Sequence, residues 1–152
     1  MSTTEQLRPF QSRRGRAVAT VMGVLSLVVF CGLAVLLPYD AGLMTFQGGD
    51  RVLVAGIGAL LAGVCWRYAT IRAVPGPQGL LVRNLVSSRR IPWTEVVTVE
   101  FGDGAPWVTL ELDDTDTVAV MAIQRADGPS SMTEATRLAG LVRDLGALPG
   151  HP

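Results

Sequence analysis

With 152 residues the chain has room for one ordinary globular core, and 49% hydrophobic content with a mean hydropathy of +0.37 is high for a wholly soluble domain. Its 13 basic residues, all arginine, are matched by 13 acids to give zero net charge. That balance excludes a general nucleic-acid binder, which needs a basic excess to displace counterions from phosphates.

An N-terminal arm, residues 1–16, carries Arg8, Arg13, Arg14 and Arg16. It leads into Ala17–Leu37, "AVATVMGVLSLVVFCGLAVLL", 21 residues without a charge, about the length of helix that crosses ~30 Å of hydrocarbon. A membrane span is expected here in preference to the competing reading, a cleaved signal peptide. The apolar run exceeds the usual signal core, and Tyr39 stands where cleavage after Ala41 would require a small residue. Residues 38–51 form a short loop, and a second span follows over 52–71. Its apolar run is uncharged from Val52 to Trp66, with Arg67 reaching the headgroups and Trp66 and Tyr68 in the interfacial belt.

Arginine placement predicts the topology. Arg8, Arg13, Arg14 and Arg16 precede the first span and Arg67 and Arg72 close the second, while only Arg51 lies between them. Both termini are therefore expected in the cytoplasm of a bacterial plasma membrane, with the loop outside. Cys31 and Cys65 fall at different depths in antiparallel spans, too far apart for a disulfide. On the second span Ala55, Ala59 and Gly63 recur every four residues, as do Gly58 and Ala62, giving a face that another backbone can approach. Packing on the first span is favoured over self-association.

After Ile71 the pattern becomes short apolar alternations broken by glycine, proline and aspartate, the mark of a small antiparallel sheet. "GLLVRN" places Leu80 and Val82 on one face with Leu81 and Arg83 on the other. "EVVTVEF" groups Val97, Val99 and Phe101, and "WVTLEL" groups Val108, Leu110 and Leu112. Turns are expected at Pro75–Gly79, at Val86–Ser88, at Gly102–Pro106 and at Asp113–Asp116. No glycine-rich stretch passes from strand to helix as a phosphate loop must, and the aspartates lack the glycine and distal glutamate of a calcium loop. A helix follows: Ser131 and Glu134 have the spacing of a capping box, Ala135, Leu138, Ala139, Leu141, Val142 and Leu145 form its apolar stripe, and Gly146 stops it. Residues 72–146 are thus one domain, and 147–152 a tail.

Short antiparallel strands closed by one C-terminal helix are the plan of the pleckstrin-homology (PH) superfold. "GLLVRNLVSSRRIPWTEVVTVEF", "WVTLEL" and "AVMAIQRAD" resemble the bacterial PH domains of actinobacterial membrane proteins, and most nearly the low-molecular-weight-protein-antigen PH family, in which two membrane helices precede the domain. The words that carry the resemblance contain Gly79, Asn84, Pro92, Trp93 and Gln124. It implies a two-helix transmembrane hairpin followed by a PH-like domain, a small antiparallel sandwich or barrel capped by one α-helix. It implies no activity, because fold does not fix function.

No catalytic constellation is visible. The single histidine, His151, is the penultimate residue, Ser87 and Ser88 lack a nucleophile elbow and a partner base, and Glu95, Glu100 and Glu111 sit at outward strand positions. The expectation is therefore a non-enzyme without metal or cofactor, anchored in the membrane and meeting another membrane or cytoplasmic protein. Two alternatives stand beside it. One is a sensor of anionic lipid headgroups using Arg83, Arg89 and Arg90, which a hairpin would bring near one another; against it stand the plentiful acids of the domain. The other is an accessory subunit of a larger membrane complex, docked through Ala55, Ala59 and Gly63.

Overall fold

The computed structural model describes residues 7–36, 40–41, 44–45, 48–102 and 104–146. The predicted tail with His151, and much of the predicted external loop, lie outside the described residues. The chain divides into two compact units, one of Arg16–Ala69 and the other uniting Met1–Gly15 with Thr70–Pro152.

The first unit is a pair of helices, α1 (Arg13–Leu36) and α2 (Gly48–Ala69), each long and apolar enough to cross a membrane. Both begin four residues before the predicted spans, since a helix continues through polar residues once its hydrogen-bond ladder is running. Between them β1 (Asp40–Ala41) and β2 (Met44–Thr45) pair antiparallel. Glycines set the contact between the helices. A Cβ at Gly23 would stand 3.2 Å from Cβ of Cys65, and one at Gly58 would run into the Phe30 side chain. The Ser26 hydroxyl donates to the Gly58 carbonyl at 3.2 Å, as small residues at such a crossing permit. Cys65 thus lies level with Gly23, eight residues from Cys31 or about 12 Å of helix rise, and both thiols are free. Of the small-residue face, Ala59 and Gly63 are exposed and Ala55 is half-buried. The contact inside the hairpin runs through Gly58 instead.

The second unit holds two three-stranded antiparallel sheets. β3 (Arg72–Pro75), β4 (Gly79–Arg83) and β5 (Ser88–Pro92) form one in that order, and β6 (Val96–Glu100), β7 (Trp107–Leu112) and β8 (Thr117–Gln124) the other. A 3-10 turn, Trp93–Glu95, joins them, and α3 (Pro129–Gly146) ends the domain. Inward residues alternate as strand geometry demands: Leu80, Val82, Ile91, Val108, Leu110 and Val120 are fully buried with Trp93, and Leu138 of α3 closes over them. This is the PH-like arrangement expected.

Two local expectations are corrected. Val97, Val99 and Phe101 do not share an inward face, because the register of β6 on β7 shifts between Val96 and Thr98. Such a bulge turns one residue out of alternation, so Val96 is buried while Val97 is 62% exposed. Nor do Ser131 and Glu134 form a capping box. The helix begins two residues earlier at Pro129, after Gly128 at φ 70°, a left-handed conformation that glycine accommodates. The Ser131 hydroxyl donates to the Gly128 carbonyl, 2.7 Å, and Glu134 binds Arg137 and Arg8.

The unforeseen element is the arm. Residues 7–12, ahead of α1, lie in this second unit. Phe10 forms an antiparallel bridge with Ala73 of the edge strand β3: its amide donates to the Ala73 carbonyl at 2.8 Å and its carbonyl accepts from the Ala73 amide at 3.1 Å. The Phe10 ring is 1% exposed and is covered by the Arg137 guanidinium, 3.7 Å from its centroid, a cation–π contact. Arg137 also donates to the Arg8 carbonyl at 3.0 Å, and Arg8 pairs with Glu134 at 3.0 Å. The Ser12 hydroxyl accepts from the Gly15 amide at 2.9 Å, as an N-cap does, and donates to Asp127 at 2.8 Å. The domain is therefore built from chain on both sides of the two apolar helices.

Candidate functional site

The hairpin β4–β5 carries the arginines singled out in the sequence, and its register decides which of them meet. Val82 pairs with Arg89, Leu81 with Arg90, and Arg83 with Ser88. Residues directly opposite share a face, so Arg89 projects on the side of buried Val82, and Arg83 and Arg90 project on the other. Across β3, Arg72 pairs with Arg83, and this adds a third arginine to the outer face that sequence reasoning did not place there. The strand-to-strand pairing supplies it, and no spacing rule in the linear sequence would.

Arg89 is accounted for. It donates to Asp116 at 2.5 Å, an exposed ion pair. That hydrogen bond, backed by the Coulombic pull of Asp116, Asp114 and Glu95, raises the guanidinium pKa further. Asp116 in turn is held below the ordinary aspartate range, first by the bond from Arg89 and then by the Thr117 amide. A carboxylate with a depressed pKa adds stability above its unfolded value and loses it as the pH falls through its folded value. Replacing Arg89 by glutamine should return the Asp116 titration, followed by carbon NMR of its carboxyl, towards the ordinary range. Domain stability at neutral pH should hardly change, as expected of a solvent-screened pair. An unmoved Asp116 titration would contradict the pairing.

Arg72, Arg83 and Arg90 have no such partner among the described residues. From Arg72 to Thr94 the chain holds four arginines and no acid, whereas from Glu95 to Gly146 it holds ten acids and three arginines. Residues 72–146, with seven arginines against ten acids, are thus slightly acidic overall, with the excess of basic charge confined to the first sheet. The hairpin's turn is closed by the Asn84 amide donating to the Ser87 carbonyl at 2.8 Å. It holds Leu85 and Val86 where turns usually carry glycine, asparagine or aspartate, and Val86 is 92% exposed.

The residues of the resemblance are structural. Asn84 is buried and ties the two sheets together: its amide donates to the Ala119 carbonyl at 2.7 Å, and its side-chain oxygen accepts from the Met121 amide at 3.2 Å. A Cβ on Gly79 would run into the Ile91 carbonyl and Pro92. The Trp93 indole is 2% exposed and donates to the Gly76 carbonyl at 2.8 Å. Gln124, also buried, donates to the Met121 carbonyl at 2.9 Å, and Arg125 lies over Phe101 and donates to the Gly102 and Ala105 carbonyls.

In the Asp113–Asp116 turn the carboxylates of Asp114 and Asp116 are likewise in local use. Asp114 accepts from the Asp116 amide at 3.0 Å and Thr115 takes φ 65°. Among the described residues no group of three or more histidine, cysteine or acidic side chains could hold a metal ion. A cleft of about 650 Å³ beside the arm is lined by Arg8, Phe10, Arg13, Arg14, Asp127 and Glu134, with Arg8 and Glu134 already paired across it. Glu100 and Glu111 stand outward on the second sheet, opposite threonines.

Residues 72–141 match the family model of the bacterial PH domain. An uncharacterised protein of Mycobacterium bovis and uncharacterised proteins of two Mycobacterium tuberculosis strains are each 39% identical to this chain over 84 residues, 55% of this chain and 54% of theirs. The chain spans about half the length of these curated relatives. No solved structure matches.

Proposed function

We propose, from the premise that residues 72–141 are a bacterial PH domain, that the protein is a non-enzymatic, membrane-anchored module holding an interaction surface at the inner face of an actinobacterial plasma membrane. Two apolar helices, long enough to cross a bilayer, supply the anchor.

The observation that carries this reading is the arm. Phe10 lies ahead of the first apolar helix and Ala73 behind the second, yet they exchange two backbone hydrogen bonds. A core cannot assemble across ~30 Å of hydrocarbon, so the arm and the domain belong on one side of the membrane. The arginines at the helix ends that lead to them, Arg13, Arg14, Arg16, Arg67 and Arg72, favour the cytoplasmic side over that of the connection, which carries only Arg51. The polar side chains at the family positions are consumed in bonds that hold the fold, which supports a binding role over a catalytic one. The partner expected is another membrane or cytoplasmic protein; an accessory-subunit role would use the small-residue face at Ala55, Ala59 and Gly63.

Reporter fusions test the topology in living cells. A reporter active only inside the cell should function at either end, ahead of the arm or after α3, and an exported reporter should function only when inserted between the helices. A C-terminal reporter active outside would overturn the reading. Crosslinking in the native membrane should then capture one protein with the PH domain in defined stoichiometry, and capture of none would remove the protein-partner role.

A further inference from the structure

We infer that the channel between β6 and α3 is a docking site for a short extended segment of a partner protein, one that alternates basic and apolar residues and pairs with β6 as an added strand. The inference rests on the protein-interaction reading above and names the surface through which it acts.

β6 is an edge strand: among the described residues its one strand neighbour is β7. Along its other edge runs a cleft of about 500 Å³, lined by the four consecutive residues 96–99. Side chains of a strand alternate between faces, so a wall to which four residues in succession contribute is the backbone edge itself. The opposite wall is Ala139, Val142, Arg143 and Gly146, spaced i, i+3, i+4, i+7 on one face of α3. The channel is closed where α3 stops, since a Cβ on Gly146 would stand 3.0 Å from the Trp93 carbonyl oxygen. Elsewhere the described residues leave it open: Val99, inward by its register opposite buried Leu110, is only half-buried, and Ala139 is exposed.

An edge strand aims a row of backbone amides and carbonyls away from its sheet, and an extended chain matches that row of alternating donors and acceptors. The charges select which chain. Glu111 stands opposite Thr98, and Glu100 opposite Thr109, on the outer face of β6 and β7. Neither carboxylate has a basic partner among the described residues, and Arg143 of the helix wall pairs with Asp144 at 3.5 Å. A strand added to β6 puts every other side chain over this acidic face, where arginine or lysine is favoured. The side chains between them enter the channel against Val99, Ala139 and Val142, where apolar residues are favoured. A second copy of β6 would instead bring its own glutamates to these, and like charges across strands repel. The bulge between Val96 and Thr98 ends regular pairing there, so the edge takes a short strand and does not template an open-ended sheet.

The test titrates the full chain, in micelles of an uncharged maltoside detergent, with a labelled synthetic peptide of alternating arginine and valine. Its fluorescence anisotropy should rise to saturation, and the β6 amides that point away from β7 should gain protection from hydrogen exchange. A peptide of alternating glutamate and valine should not bind, nor should the arginine peptide with alternate backbone nitrogens methylated, which cannot donate to a strand. Each of E100Q and E111Q should weaken binding about threefold, and the pair roughly tenfold. Glu100→Arg combined with Glu111→Arg should move the preference to the glutamate peptide. Ala139→Trp, at an exposed position, fills the channel and should abolish binding. The peptide comparisons use the parent chain, so they hold even where a variant folds poorly. No saturable binding, equal binding of the methylated or the glutamate peptide, or binding unmoved by A139W would each overturn the inference. So would protection of those β6 amides before peptide is added, which would mean that the chain's own end or a second copy already fills the edge. In the native membrane, a crosslinked partner that persists in A139W would overturn the site and spare the protein-interaction reading; no partner with the parent chain would strike that reading itself.

Discussion

Replacing Phe10 by alanine should destabilise the PH-like domain by about 3–5 kcal/mol, as truncation of a buried aromatic does, although residue 10 lies outside the segment that carries the family resemblance. Its ring is 1% exposed and is roofed by Arg137 at 3.7 Å, so truncation removes apolar burial, opens a cavity and uncovers a cation–π contact together. A loss of that size is a large fraction of the 5–15 kcal/mol that usually separates folded from unfolded domains. Leucine keeps most of the volume and should lose roughly 1–2 kcal/mol. Denaturation of the full-length protein in detergent micelles, followed by near-ultraviolet dichroism, gives the comparison. V86A, made at a site 92% exposed, should stay within about 0.5 kcal/mol of the parent. Equal stability of F10A and V86A would mean that the arm contributes nothing to the core.

The second large effect is expected at Asn84. Asn84→Ala removes the donor to the Ala119 carbonyl and the acceptor for the Met121 amide, leaving two inward polar groups of β8 without their partner. Each such orphan costs about 1–3 kcal/mol, so the variant should lose roughly 2–5 kcal/mol. Asn84→Asp can still accept from Met121 but cannot donate to Ala119, and it buries a charge; it should fall no closer to the parent than alanine does. Amide exchange supplies the local readout, because the Met121 amide should lose protection in N84A before the centre of β7 does. Unchanged protection at Met121 would refute the bridging role.

These two residues mark where the sequence was legible and where it was not. The apolar helices, the alternation in β4 and β7, the hairpin turn and the closing helix all follow from local periodicity and turn chemistry, and each is present. Asn84 stood out only as part of a resembling word. Its work, joining two sheets, is a long-range bond that periodicity cannot display. Phe10 gave no signal at all, since one aromatic in a short polar arm has no period, and what buries it is an edge strand more than sixty residues away. Val97 was misassigned because a bulge adds one residue to a strand without any glycine or proline to announce it. The arginines show the same limit. Their number and neighbourhood are visible in the chain, but the register that turns Arg89 towards Asp116 and sets Arg72 against Arg83 belongs to the sheet.

A domain assembled from both ends of a helical hairpin has a consequence for biogenesis. β3 can form its edge bridge with Phe10 only after α1 and α2 have been made, so the domain's last backbone bonds wait for the hairpin. Hydrogen exchange on the full-length protein in lipid bilayers tests this most directly. The Phe10 amide, bonded to the Ala73 carbonyl, and the Ala73 amide, bonded to the Phe10 carbonyl, should exchange as slowly as the amide of Val82 in the middle of β4, because one cooperative unit opens as a whole. Exchange of the Phe10 amide at the rate of an unstructured chain, while Val82 stays protected, would show that the arm stands apart from the domain and would contradict the account.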